Sequence, residues 1–209
     1  MPELSICIPV GPNDDRFMYG DAVGTPRPEW ELLIEHDPEG LGPAPTRNRL
    51  LDRAQGDYIM MIDADNIFTV DTIAKLYEER DEATIVSTER VVFFHGATGE
   101  DSHVWEWGWI EAMWSARYLL SSPATMLSTG NVLYPNTDAR YPTDCGVYEG
   151  WAFLARRIIK DGWGVTAVPG TSYRHRLHDD SYYATRSREG LIEQDLRAAL
   201  WHVYGDLLQ

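Results

Sequence analysis

The run DYIMMIDADN constrains this chain more than any other. Tyr58 to Ile62 is continuous and apolar, the pattern of a strand buried on both faces, and such strands belong to sheets covered by helices on each side. The run ends in Asp63-Ala64-Asp65, a pair of carboxylates separated by one small residue. Ligands of open α/β sheets bind at the carboxyl ends of strands. Paired carboxylates there suit a hard divalent cation that would grip a diphosphate. Asp is also a turn former, and Asp65-Asn66 reads equally as the start of a turn. D-x-D spacing is a weak pattern and leaves both readings standing.

The flanking segments extend the α/β reading. Leu4 to Val10 (LSICIPV) predicts a first strand, stopped by the Gly11-Pro12-Asn13 turn signal. Trp30 to Glu35 predicts a second, ending at His36-Asp37-Pro38. Beyond a Gly/Pro loop, Thr46 is placed as the N-cap of a helix through RNRLLDRAQG, closed by Gly56. Asp71 is placed as the N-cap of the next helix, TIAKLYEERD. Residues 83–87 and 90–94 read as further strands. Alternating strands and helices argue for a parallel sheet, with residues 1–95 as a nucleotide-binding half. Residues 103–120 predict an amphipathic helix with Trp105, Trp109, Met113 and Ala116 on one stripe. A short strand within 126–134, a helix over 148–160 ended by Asp161-Gly162, and a strand at GVTAVP follow. SYRHRLHDDS reads as a polar loop or strand end, and 189–208 as a closing amphipathic helix. Asp14 to Pro28 is a polar stretch without an assignment.

Composition narrows the partners. The formal net charge of -15 disfavours a nucleic-acid backbone, which needs clustered Lys and Arg. Arg156, Arg157 and Lys160 form the one local basic cluster that a DNA-directed variant would use. No apolar run is long enough to span a bilayer. MPELSICIPV lacks a basic n-region and predicts no secretory leader. Cys7 and Cys145 lie far apart, no disulfide is expected, and the cytoplasm is the default compartment. Eight Trp and eleven Tyr against five Phe supply flat faces with a polar handle, which suit stacking on a sugar or base and suit a core equally.

Taken in order, these segments resemble the family 2 glycosyltransferases of GT-A fold across nearly the whole chain. LSICIPV is similar to the family's first strand and ELLIEHD to its second. TRNRLLDRAQGDYIMMIDADN is similar to the signature R-N-x-G-L…A-x-G-D-Y-I…D-x-D, with Leu50 where Gly is usual. STGNVLYP resembles the Gly segment on the acceptor side, CGVYEGWAFLARRIIKDGWGVTAVPG resembles G…E-D…L…R…G-W…P, and YRHRLHDDS resembles a closing R-x-H-x-x-S element. The resemblance implies a mainly parallel, Rossmann-like α/β sheet flanked by helices in a single GT-A domain, with residues 96–209 as the acceptor-binding half. It implies metal-dependent, inverting transfer of a sugar from a nucleotide-sugar donor, foremost a UDP-sugar, to an acceptor hydroxyl by single displacement.

Residue roles follow from the resemblance. Asp65 is the direct metal ligand, with Asp63 orienting the ribose or the ion and Ala64 beside the nucleotide. The family's late His falls on His178 by register, with Arg176 before it and Ser181 after; His175 is the alternative and otherwise a strand-end residue. Mixed His and carboxylate ligation suits Mn²⁺, with Mg²⁺ as the alternative. Pro9, Val10, Asp37 and Arg47 are implied in nucleotide recognition, Arg47 by stacking on the base or pairing with phosphate. Glu35-His36-Asp37-Pro38 departs from the common D-D-G-S, which keeps a guanine donor open, and Asp37 also reads as a turn residue. Glu149 is the implied general base, Gly150 standing where a second acid is usual; Asp144 is the fallback, and Glu149 reads otherwise as a carboxylate favouring a helix N-terminus. Gly130 and Asn131 are expected against the donor sugar, since Gly permits close approach. Trp107 and Trp151 are candidate platforms for an acceptor sugar, while Trp105 and Trp109 read as core.

Competing readings remain. A nucleotidyltransferase would carry a Gly-rich basic loop where this chain has the acidic GPNDDRF. A non-catalytic nucleotide- or glycan-binding module would be expected to have lost Asp63, Asp65 or Glu149. With no spanning segment after the catalytic region, a processive polysaccharide synthase is disfavoured, and the expected acceptor is a soluble protein, glycan or small molecule. Residues 14–28 are a candidate lid, and the oligomeric state is left open.

Overall fold

The computed structural model describes residues 1–12, 23–106, 132–179 and 181–207. Its centre is β1 (Leu4–Val10), in which every residue is buried. β1 pairs in parallel with β2 (Trp30–His36) on one side and β3 (Tyr58–Met61) on the other. Side chains of a strand point alternately to its two faces. Leu4, Ile6, Ile8, Met60 and Ile62 therefore enter one core, and Cys7, Ile59 and Met61 enter another on the opposite face. Both faces are covered, as the unalternating apolar runs require.

Each face has its helix. α1 (Pro43–Arg53) buries Leu50 and Leu51 on the Cys7 side. α2 (Val70–Glu78) buries Ile73 and Leu76 on the other side, each worth about 1.5–3 kcal/mol of apolar burial. The sheet continues through β4 (Thr84–His95), β5 (Asp101–Glu106) and β6 (Val132–Pro135), in the order β2-β1-β3-β6-β4-β5, with β7 (Gly164–Leu177) along β4. β6 runs antiparallel to β3 and β4, β5 antiparallel to β4, and β7 parallel to β4. The α/β sheet flanked by helices is thus present, with its parallel pairings in β2-β1-β3 and β4-β7. β6 sits between β3 and β4, so strands from both halves of the sequence interleave.

α3 (Glu149–Asp161) follows a 3-10 turn at Gly146–Tyr148 and ends where Gly162 adopts φ 72°. The short α4 (Tyr182–Arg188) and then α5 (Ile192–Tyr204) complete the described chain. Trp151, Ala152 and Ala155 of α3 pack against Ala199 and Val203 of α5 in a separate core. No helix among the described residues is long and apolar enough to cross a membrane.

Several local expectations are corrected. The α1 N-cap is Gly42, and Thr46 Oγ1 instead donates to Gly42 O at 3.0 Å from inside the first turn. α1 ends at Arg53; Gly56 lies beyond it and serves close approach, since a Cβ there would stand 2.6 Å from Ser5 N. α2 is capped by Thr69, whose side chain accepts the Thr72 N–H, leaving Asp71 in the first turn. Residues 83–87 and 90–94 belong to one long strand, β4. Of the two readings of SYRHRLHDDS, the strand end holds through Leu177, where β7 stops. The expected closing helix over 189–208 is α5, starting at Ile192, and an unexpected short helix, α4, precedes it with Gly190 at φ 72° between them. The expected helix over 103–120 begins instead as the edge strand β5, exposed along its whole length with Trp105 at 41%; its pairing with β4 overrides the helical stripe. The rest of that helix, the candidate lid before residue 23, Trp107, Trp109, Gly130 and Asn131 lie outside the described residues.

Candidate functional site

A cleft of about 830 Å³ opens at the carboxyl ends of β1, β2 and β3. Pro9, Val10, Asp37, Arg47, Asp63, Ala64, Asp65, Glu149 and His178 line it. Strand ends supply the first wall. Ile62 N–H still donates to Cys7 O at 2.9 Å; the chain then turns, closed by Asn66 N–H to Asp63 O at 3.0 Å. The turn reading of D-x-D is therefore present, and the turn separates the two carboxylates.

Asp65 Oδ2 lies 2.9 Å from His178 Nε2, a contact across 113 residues. Their side chains are 17% and 13% exposed, so water has limited access to the pair. Two atoms held about 2.1 Å from an octahedral ion, at right angles to each other, are about 3 Å apart. The pair thus has the separation and the donor chemistry of neighbouring ligands on one such ion. Among the described residues no group of three His, Cys, Asp or Glu converges on a metal position. A cation here would take its remaining ligands from the donor diphosphate and water. His175 also lines the cleft, but its ring packs edge-on against Phe93 at 5.2 Å, and its buried Nδ1 has no partner among the described residues.

Arg47 is held differently from its expected role. Its guanidinium donates to Asp63 Oδ1 at 2.5 Å and, more closely, to Glu149 Oε1, and it stands 5.6 Å over the Tyr141 ring. It is therefore engaged by protein carboxylates rather than presented to a base or phosphate. Burial opposes its charge, while Asp63, Tyr141 and Tyr134 favour it, and the net effect raises its pKa. Glu149 is 4% exposed and opens α3, so the helix N-terminus and Arg47 both favour its carboxylate. Asp144, the fallback base, is exposed, absent from the cleft wall, and accepts a weak Cys145 Sγ contact at 3.6 Å.

Asp37 is 3% exposed, and its carboxylate accepts the N–H groups of Leu41 at 3.0 Å and Gly42 at 2.8 Å. It thus wires the loop entering α1 while facing the cleft. Trp151 touches the cleft, but at 3% exposure its body belongs to the α3–α5 core, which corrects its reading as an open sugar platform. Cys145 is also buried there, and burial followed by Asp144 pushes its thiol up to about 12, leaving it inert.

The second wall holds residues that the sequence reading missed. Asp195 of α5 is 1% exposed; it accepts Arg186 Nε at 3.0 Å, a second Arg186 nitrogen, and Val147 N–H at 3.2 Å. Gly146, at φ 51°, lies so close to Asp195 that any Cβ would overlap its carboxylate. This knot fixes the turn leading into Glu149. Its signal in the sequence was a charged residue on the stripe 195, 199, 203, where Ala199 and Val203 are core. Arg186, Tyr182 and Tyr183 of α4 also line the cleft.

The profile of the family described as Glycosyl transferase family 2 matches residues 28–141. Among solved structures, S. aureus TarS 1-349 in complex with UDP is similar over 100% of this chain and 66% of that one, at 10% identity and TM-score 0.57. The same protein in complex with UDP-GlcNAc is similar over 98% of this chain and 67% of that one, at 10% identity and TM-score 0.58. The mannosyltransferase PcManGT from Pyrobaculum calidifontis, in complex with GDP-Man and Mn2+, is similar over 95% of this chain and 64% of that one, at 15% identity and TM-score 0.59. The chain thus spans about two thirds of the length of these proteins, and at these identities the likeness is one of fold. No curated protein matches the chain by sequence.

Proposed function

The chain belongs to glycosyl transferase family 2, and from that premise we propose that it is an enzyme transferring a sugar from a nucleotide-sugar donor to an acceptor hydroxyl, with inversion and with a divalent cation. The observation that carries this reading is the Asp65–His178 pair at 2.9 Å, in the cleft where the strands end. In this reading the nucleotide lies over Pro9 and Val10 and against the loop wired by Asp37. Asp63 and Ala64 lie beside its ribose. Asp65 and His178 would hold Mn²⁺ or Mg²⁺, which would supply Lewis-acid stabilisation of charge on the departing diphosphate.

Glu149 is the proposed base. Arg47 engages its Oε1 and fixes its orientation, and Oε2 would take the proton of the acceptor hydroxyl as that oxygen attacks the anomeric carbon. Attack from the face opposite the diphosphate breaks the sugar–phosphate bond in the same step, so the configuration inverts. Arg47 also ties Glu149 to Asp63, so the base and the donor wall move as one unit. Solved neighbours hold UDP or UDP-GlcNAc in one case and GDP-Man in the other. We put the UDP-sugar forward, for an acceptor that is a soluble protein, glycan or small molecule.

The test is calorimetric titration of UDP, GDP, CDP and ADP, with and without Mn²⁺, against the wild type and Asp65→Ala. Mn²⁺-dependent binding of one diphosphate, lost in Asp65→Ala, is the expected result. A folded protein that binds none of them overturns the proposal.

A further inference from the structure

Among the described residues, Arg47, the side chain expected to stack on the nucleobase, is not presented to it, because its guanidinium is buried between Asp63 and Glu149. Trp151 and Tyr148 line the cleft but are sunk in the α3–α5 core. Tyr182 is different. It is the first residue of α4, it is 40% exposed, and it faces the cleft. Its hydroxyl reaches across to the loop wired by Asp37: a Cβ on Gly42 would stand 3.3 Å from Tyr182 Oη. Gly42, at φ 97°, therefore has a second reason to lack a side chain.

The position of Tyr182 is fixed from several sides. Ser181 Oγ caps α4 by accepting the Ala184 N–H at 3.2 Å. Arg186 is locked to the buried Asp195, and Arg188 donates to Asp179 O at 3.0 Å. A half-exposed aromatic ring carried on this anchored turn lies outside the apolar core and offers a flat face to a planar ligand.

We infer that Tyr182 is the stacking partner of the donor's nucleobase, closing the base subsite against Val10 and the Asp37–Gly42 loop. This rests on the donor reading above and adds to it the residue that grips the base. Stacking acts through the ring and not the hydroxyl, so it is tolerant of base identity. Discrimination between bases then falls to the edge contacts of the loop.

The experiment titrates UDP, GDP and inorganic pyrophosphate, each with Mn²⁺, into wild type, Tyr182→Ala, Tyr182→Phe and Trp201→Ala. Tyr182→Ala is expected to weaken the nucleotide that the wild type binds by about tenfold or more, the scale of one base–aromatic stack, with pyrophosphate affinity unchanged. Tyr182→Phe should retain wild-type affinity, and so should Trp201→Ala, which removes an exposed aromatic outside the cleft wall. Wild-type nucleotide affinity in Tyr182→Ala, or an equal loss for pyrophosphate, overturns the inference while leaving the donor reading intact. A wild type that binds no nucleotide removes the donor reading and this inference with it.

Discussion

On the wall formed by β1, β2 and β3, the side chains of the cleft hang from strand ends centred on the fully buried β1, whereas the opposite wall, from Gly146 to α5, is fastened by buried charges. Apolar burial is non-directional and tolerant of small shifts. Ion pairs under cover are directional, and removing one partner strands the other in a medium that cannot solvate it. The first wall therefore needs only strands of the right hydrophobicity. The second needs particular residues, Arg186, Asp195 and Gly146, and Arg47 joins the walls by holding Asp63 on one and Glu149 on the other. A cleft built this way can tolerate substitution along β1 far better than at its seam.

The largest effect should come from the seam's proposed chemistry. Glu149→Gln keeps the shape of the side chain and a partner for Arg47, and removes the proton acceptor. Turnover should fall about 10²–10⁴-fold, the usual contribution of a positioned base, while donor binding by calorimetry stays near wild type. Unchanged turnover would move the base elsewhere and leave Glu149 as a helix N-terminal carboxylate only.

Arg47→Met tests whether the walls are truly tied. It removes the cation that Asp63 and the buried Glu149 share, so unfolding free energy from urea titration should drop by about 3–5 kcal/mol. Combined with Glu149→Gln, part of that loss should return, because one stranded charge is gone. Strict additivity would mean that the two residues do not act as a unit.

The same contrast explains what the sequence made legible. β1 was read to its terminal residues, and β3 to within one residue, because unbroken apolar runs between turn formers have few other interpretations. The α3 end at Gly162 was legible because glycine at a left-handed position is a local signal. Pro9, Val10, Asp37, Asp63, Ala64 and Asp65 reach the cleft because they are simply where those strands stop. What failed was non-local. Nothing near Arg47 announces a partner 102 residues away, and nothing near Asp195 announces Val147. Trp105 was assigned to a helical stripe because periodicity over a short apolar run does not separate edge strand from helix.

Gly146→Ala probes the second wall alone. The added methyl overlaps the Asp195 carboxylate and also disfavours φ 51°, so a loss of about 2–4 kcal/mol is expected. The counterpart on the first wall, Gly56→Ala, meets Ser5 N at 2.6 Å and should cost a similar amount. The two should differ in function. A properly folded fraction of Gly56→Ala should turn over normally, whereas Gly146→Ala should lose turnover beyond its loss of folded protein, since it displaces the turn that carries Glu149. Equal specific activities would show that the knot stabilises without positioning.

The smallest effect lies at the outer edge of the second wall, where α5 meets α3. Burial lowers the pKa of His202, and the nearby Arg156 adds to this, with Lys160 and Arg157 acting the same way and Asp144 opposing them. The unfolded chain therefore binds this proton at a higher pH than the folded one. Between the ordinary histidine pKa of about 6.5 and the lowered folded value, the unfolded state holds more protons, so stability falls as pH falls through that window and levels off below it. With His202 partly open to solvent, the slope should be less than about 1 kcal/mol per pH unit. Replacing it, in His202→Gln, should flatten the urea-derived stability between neutrality and mild acid without altering the site. A slope that survives His202→Gln would assign the acid sensitivity to carboxylates instead. The exposed Asp206 is one of these: Lys160 first, then Arg156, hold its pKa below the usual carboxylate range, and its contribution disappears only at a still lower pH.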